Sequence, residues 1–117
     1  MEKLKEVSRE ELKKWIDEKK DFVLVDVLLR HSYDAWHLPG AVHAGVHEDG
    51  FLEKVAALAP DKDKPVVAYC SSFTCMASPL AAKKLAEAGY TDVYHYAGGL
   101  ADWQDAGYSF ESEDIQG

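Results

Sequence analysis

Val66-Val67-Ala68-Tyr69-Cys70 is an unbroken apolar run that ends on a thiol. It has no polar alternation, the pattern of a strand buried on both faces of a parallel sheet. The loop Ser71-Ser72-Phe73-Thr74-Cys75-Met76-Ala77 follows, and Ser78-Pro79 then predicts a helix start, with Ser78 as N-cap and Pro79 at the first helical position. That helix reaches Ala88, where Gly89 stops it. Phe22-Val23-Leu24-Val25-Asp26-Val27 is a second run of the same kind, so the two strands are expected to be central. Ligand sites in open α/β sheets lie beyond the carboxyl ends of strands. Cys70 and Asp26 both stand at such ends, so the two are expected to lie near each other.

The rest of the chain alternates in the same way. Ser8-Arg9-Glu10-Glu11 has capping-box spacing and predicts a helix to about Lys19, with Leu12, Trp15 and Ile16 facing inward. Leu38-Pro39-Gly40 reads as a turn and Ala41-Val42-His43 as a short strand. Phe51 to Leu58 has helical spacing, Val93-Tyr94-His95-Tyr96 reads as a last strand, and Gly98-Gly99 opens a short helix around Trp103 that Gly107 ends. Strands alternating with helices define an α/β fold with a mostly parallel sheet. Residues 1–117 are read as one domain, with a loose acidic tail from about 111.

Composition narrows the partners. Thirteen Lys and Arg against 21 Asp and Glu give a net charge of −8, which disfavours nucleic acid and acidic membranes. No apolar run reaches membrane-spanning length, and the charged start predicts no signal peptide. Two cysteines make no disulfide scaffold, so a reducing, cytoplasmic setting and a monomer are expected. The spacing of His31, His37, His43, His47 and His95 with the cysteines has no metal-ligand pattern, and no cofactor or metal is expected.

A thiol at a strand end, facing backbone N–H groups and a helix N-terminus, is where a thiolate gains stabilisation. Cys70 is therefore the candidate nucleophile, with a pKa expected to be depressed. Cys75, five residues on, is either a resolving thiol or a small apolar filler near the helix start.

Across nearly its whole length the sequence resembles the rhodanese-like family. Asp26-Val27, Tyr33 and His37-Leu38-Pro39-Gly40-Ala41 match its first signature, and Val66 to Cys70 is similar to the strand before its catalytic cysteine. Ala81-Ala82, Leu85 and Gly89-Tyr90 resemble the following helix, and Gly98-Gly99, Trp103 and Gly107 its C-terminal signature. The resemblance implies a five-stranded, mostly parallel sheet with helices on both faces. It implies an active-site loop, Ser71, Ser72, Phe73, Thr74, Cys75, Met76, Ala77 and Ser78, curled around Cys70 with its N–H groups inward. It also implies sulfur transfer through a Cys70 persulfide from a small sulfur donor to a thiol acceptor. Asp26 and His37 fall at supporting positions, read as hydrogen-bonding braces.

The sequence departs from the family where the loop binds anions. The family loop Cys-Arg-x-Gly-x-Arg-Ser is here two residues longer, without arginine, and Ala77 stands at the second arginine position. Leu28-Leu29 replaces a charged pair, and Trp36 a glycine. Each missing charge-assisted hydrogen bond forfeits about 1.5–3 kcal/mol. Thiosulfate turnover is accordingly expected to be weak, and Met76 at the arginine position of Cys-x5-Arg removes phosphatase chemistry. Trp36 and Phe73 are read as shaping the pocket mouth or simply packing, and Arg30-His31 as a solvated turn. The first functional reading is sulfur transfer through Cys70. The alternatives are dithiol–disulfide chemistry of Cys70 with Cys75, and an interaction module of low activity.

Overall fold

The computed structural model describes residues 5–72 and 75–112. Five strands form one parallel sheet: β1 (Lys5–Glu6), β2 (Val23–Asp26), β3 (Val42–His43), β4 (Val66–Tyr69) and β5 (Val93–Tyr96), in the order β1-β5-β4-β2-β3. The two apolar runs pair in register, Val23 with Val66 through Asp26 with Tyr69, and β4 lies at the centre of the sheet. All four β4 residues are buried, as a strand covered on both faces requires.

Side chains alternate along β4 into two cores. Val66, Ala68 and Cys70 pack with Val55 of α3 (Phe51–Leu58) and with Ala81, Ala82 and Leu85 of α4 (Ala77–Glu87). Val67 and Tyr69 pack on the other face with Leu12 of α1 (Arg9–Asp17) and Leu100 and Trp103 of α5 (Gly99–Asp105). The five-stranded α/β architecture with helices on both faces is therefore present.

Local signals account for several boundaries. Ser8 caps α1 by accepting from Glu11 N at 3.1 Å. The helix ends at Asp17 rather than near Lys19, because Lys19 turns left-handed at φ 56°. The predicted cap of α4 is displaced: Met76 is the N-cap, Leu80 N bonds to Met76 O at 3.2 Å, and Ser78 lies buried inside the first turn. Pro79 still fits, since the first-turn N–H groups have no helical partner to lose. Arg30 and His31 are exposed, as expected, but open a short helix, α2 (Arg30–Ala35), rather than a turn. Residues 111 and 112 are not loose: Glu111 exchanges backbone hydrogen bonds of 2.8 Å with His37 in both directions, and Ser112 Oγ donates to Asp34 O. The remaining tail lies outside the described residues. No helix among the described residues is long and apolar enough to cross a membrane.

Candidate active site

Cys70 follows β4 directly and is fully buried. The chain behind it is fixed by α5: Leu100 N donates to Cys70 O at 3.0 Å and Ala101 N to Ser71 O at 2.8 Å. This close crossing requires Gly99, which sits at φ +59° with its missing Cβ directed at the Cys70 carbonyl. Gly98-Gly99 was legible as a helix opening, but its service to the Cys70 backbone was not. The signal was the glycine pair itself, placed one strand after the cysteine strand.

The loop returns to Cys70 through Cys75. The Cys70 thiol lies 3.6 Å from the Cys75 carbonyl oxygen and donates to it. The two thiols lie close enough to influence each other's ionisation. Cys75 is half-buried against the Cys70 core, with its N–H on Ser72 O at 3.0 Å. The next residues, Ala77 and Ser78, open α4. Ser78 Oγ is buried and makes no hydrogen bond of good geometry, while its hydroxyl and amide both favour a thiolate on Cys70. Ser71 and Met76 are exposed, and Ser72 is half-buried. The predicted loop positions Phe73 and Thr74 lie outside the described residues.

The electrostatics of the pair differ from expectation. Burial pushes the Cys70 thiol up, and the Cys75 thiol adds to this, outweighing Ser78. A depressed Cys70 pKa is thus not what the fold provides: its sulfur has left water for an apolar core. For Cys75, burial also opposes ionisation. Hydrogen bonds from the Cys70 thiol, the Ser71 and Ala77 amides and the Ser71 hydroxyl outweigh it and hold that thiol below its ordinary value. The inward N–H groups of the longer loop thus serve Cys75.

Asp26 is near Cys70 in register but faces away. It pairs with Tyr69, accepts the Tyr69 hydroxyl at 2.9 Å and the Leu28 amide at 2.9 Å, and is fully buried. Its side chain shares the Tyr69 face, and that of Cys70 takes the opposite one. His37 donates from Nδ1 to Tyr33 O at 2.8 Å, stacks on the Tyr33 ring at 4.0 Å and lies 4.0 Å from Glu111 Oε1. It ties α2 to the end of the described chain. Trp36 packs on Phe110 with ring centroids 4.7 Å apart. Among the described residues no cluster of His, Cys, Asp and Glu is arranged to hold a metal ion.

Beside this geometry stand the likenesses to known proteins. The rhodanese-like domain matches residues 8–106, and the chain belongs to that family. It is 34% identical over 86 residues to thiosulfate sulfurtransferase GlpE of Coxiella burnetii, covering 74% of this chain and 75% of that protein. The same identity extends over 98 residues with GlpE of Pseudoalteromonas translucida, covering 82% of this chain and 85% of the relative. Among solved structures, thiosulfate sulfurtransferase from Pseudomonas aeruginosa superposes with a TM-score of 0.84 at 24% identity, over 97% of this chain and 21% of that one. That last likeness concerns the fold.

Proposed function

We propose that this protein is a sulfurtransferase that carries sulfane sulfur as a persulfide on Cys70 and passes it to a thiol acceptor. The observation that carries the reading is the hydrogen-bonded Cys70–Cys75 pair at the carboxyl end of β4. In this reading Cys70 reacts through its minor thiolate form, its proton lost to solvent. The Cys70 thiolate then attacks the outer sulfur of a donor persulfide. A bond forms from Cys70 Sγ to that sulfur, the donor S–S bond breaks, and the donor thiolate leaves with the pair of electrons. An acceptor thiolate attacks the same sulfur in turn and restores Cys70. The Ser78 hydroxyl and amide favour the anion that forms at Cys70.

The donor that suits this site is a small persulfide rather than thiosulfate. Cys70, Ser71, Ser72, Cys75, Met76, Ala77 and Ser78 carry no cationic side chain, so a dianion meets backbone N–H groups alone. The protein acts in this reading as a monomer in a reducing, cytoplasmic setting and needs no cofactor.

Sulfur transfer from an organic persulfide to a small thiol tests the reading. Cys70→Ser is expected to abolish the protein-dependent rate. A rate unchanged in Cys70→Ser refutes it. A wild type that transfers no sulfur and whose Cys70 resists persulfidation favours the interaction-module alternative instead.

A further inference from the structure

Sulfur transfer through a single persulfide needs one cysteine, yet the loop delivers two. Cys75 does not merely lie in the same segment. The Cys70 sulfur rests against the Cys75 backbone at 3.6 Å, and each thiol influences the ionisation of the other. Cys75 is held there by its own N–H on Ser72 O and by the start of α4 immediately after it. The two thiols also differ in surroundings: Cys70 is fully buried, whereas Cys75 is half-buried at the loop surface. A small apolar filler accounts for neither the Cys70 thiol seated on the Cys75 backbone nor the favouring of a Cys75 thiolate by the Ser71 and Ala77 amides.

Resting on the Cys70 persulfide reading, we propose that Cys75 is a resolving thiol, which closes a Cys70–Cys75 disulfide and expels the carried sulfur as hydrosulfide when no acceptor takes it. The Cys75 thiolate attacks Cys70 Sγ, the inner sulfur of the persulfide. A bond forms between the two cysteine sulfurs, and the bond from Cys70 Sγ to the outer sulfur breaks. The outer sulfur leaves with that electron pair and a proton as hydrosulfide. The sulfane sulfur is thereby reduced by two electrons, and the two thiols are oxidised to one disulfide. A dithiol reductant returns the pair to its starting state by ordinary exchange.

The physical basis is proximity. A thiol held against the reacting sulfur competes with free thiols at a very high effective concentration, which intramolecular reactions raise to about 10⁵–10⁸ M at best. The disulfide closes a short loop, so its entropic stabilisation is small and it remains open to reduction. The protein then has two exits for its sulfur: transfer to an acceptor, or release as hydrosulfide with the loop locked.

The test treats reduced protein with an organic persulfide, removes excess donor rapidly, and follows intact mass and released hydrosulfide without acceptor. The wild type is expected to become two hydrogens lighter than its reduced form while releasing one equivalent of hydrosulfide. Cys75→Ser, and Cys75→Ala as a second variant without a hydroxyl, are expected to stay one sulfur heavier and release none, with peptide mapping placing the sulfur on Cys70. A dithiol reductant is expected to restore the wild-type mass. A wild type that keeps the extra sulfur as long as Cys75→Ser does overturns this inference and leaves the persulfide reading standing. Cys75 variants that take up no sulfur while Cys70 remains alkylatable overturn the persulfide reading, and the inference falls with it.

Discussion

Tyr69 donates its hydroxyl to Asp26 Oδ2 at 2.9 Å, across the register that pairs the two central strands. The same oxygen accepts the Leu38 amide at 3.0 Å, so one phenol links β2, β4 and the turn after α2. Cys70, one residue further, presents its thiol to the opposite face. The carboxylate nearest the nucleophile in sequence register is thus a brace for the sheet and not a base for the thiol.

Tyr69→Phe tests the brace. The variant strands the Leu38 N–H and one Asp26 oxygen in a buried setting, and each unsatisfied group costs about 1–3 kcal/mol. Chemical denaturation is expected to show a loss of at least that size. The alkylation profile of Cys70 in the folded variant is expected to match the wild type. A shifted thiol profile with unchanged stability contradicts the assignment.

Stability is expected to carry two pH dependences of opposite sign. Burial lowers the pKa of His95, whose Nδ1 has no partner and whose Nε2 lies 3.6 Å from Glu6 Oε2. The unfolded chain then binds more protons than the folded one as pH falls below 6.5, the ordinary imidazole value, so stability is lost there. Burial raises the Asp26 pKa against its hydrogen bonds from Leu28 and Tyr69. The folded state binds the proton more tightly, so this contribution is present at low pH and is lost as pH rises through the raised carboxyl pKa. Melting temperatures between neutral and mildly acidic pH are expected to fall in the wild type and to fall less in His95→Leu. An identical slope in both removes His95 as the cause.

Much of the fold was legible because its signals are local. The apolar runs at 22–27 and 65–70 mark the two central strands, and the Ser8–Glu11 spacing marks the cap of α1. The elements that escaped have no such signal. β1 is two exposed charged residues, Lys5–Glu6, whose pairing with Tyr94 and His95 is wholly tertiary. α2 begins after Leu29 with no side-chain cap, so nothing in its sequence announces a start. At the site, the strand-end position of Cys70 was legible from its run. The charge state of the pair was not, because it depends on which thiol the loop buries and which one the amides reach.

Gly99 is expected to tolerate no side chain. A Cβ there meets the Cys70 carbonyl, and the left-handed conformation alone costs a non-glycine residue about 1–2 kcal/mol. Gly99→Ala is expected to lower stability by more than that figure and to reduce sulfur transfer per folded molecule, because the backbone of Cys70 and Ser71 must move. Urea denaturation beside persulfide uptake measures both. Wild-type values for the two together refute the close crossing as a constraint.

Thiosulfate is expected to be a poor donor beside an organic persulfide. Ala77 stands half-buried at the first residue of α4, next to the loop amides. Ala77→Arg supplies one charge-assisted contact, worth about 1.5–3 kcal/mol, or roughly 10- to 100-fold in thiosulfate binding. The gain is expected in KM for thiosulfate and is expected to be smaller for the organic persulfide, which carries less negative charge. Wild-type turnover of thiosulfate as fast as that of the organic persulfide removes the missing charge as an explanation.

The order of alkylation separates the two thiols. Cys75 is partly exposed and its thiolate is favoured by the Cys70 thiol and the Ser71 and Ala77 amides, whereas Cys70 is buried with its pKa pushed up. Limited iodoacetamide at neutral pH is expected to label Cys75 well before Cys70, with peptide mass mapping reading the order. Cys75→Ser removes the competing thiol and, with it, one of the causes that push the Cys70 thiol up. In that variant Cys70 is expected to label at lower pH than in the wild type, because one cause of its raised pKa is gone, and still more slowly than a free thiol, because its burial remains. Cys70→Ala is expected to leave Cys75 reactive but less so than in the wild type, since the Cys70 side chain no longer favours its thiolate. Faster labelling of Cys70 than of Cys75 in the wild type reverses the assignment and returns the thiolate to the strand end.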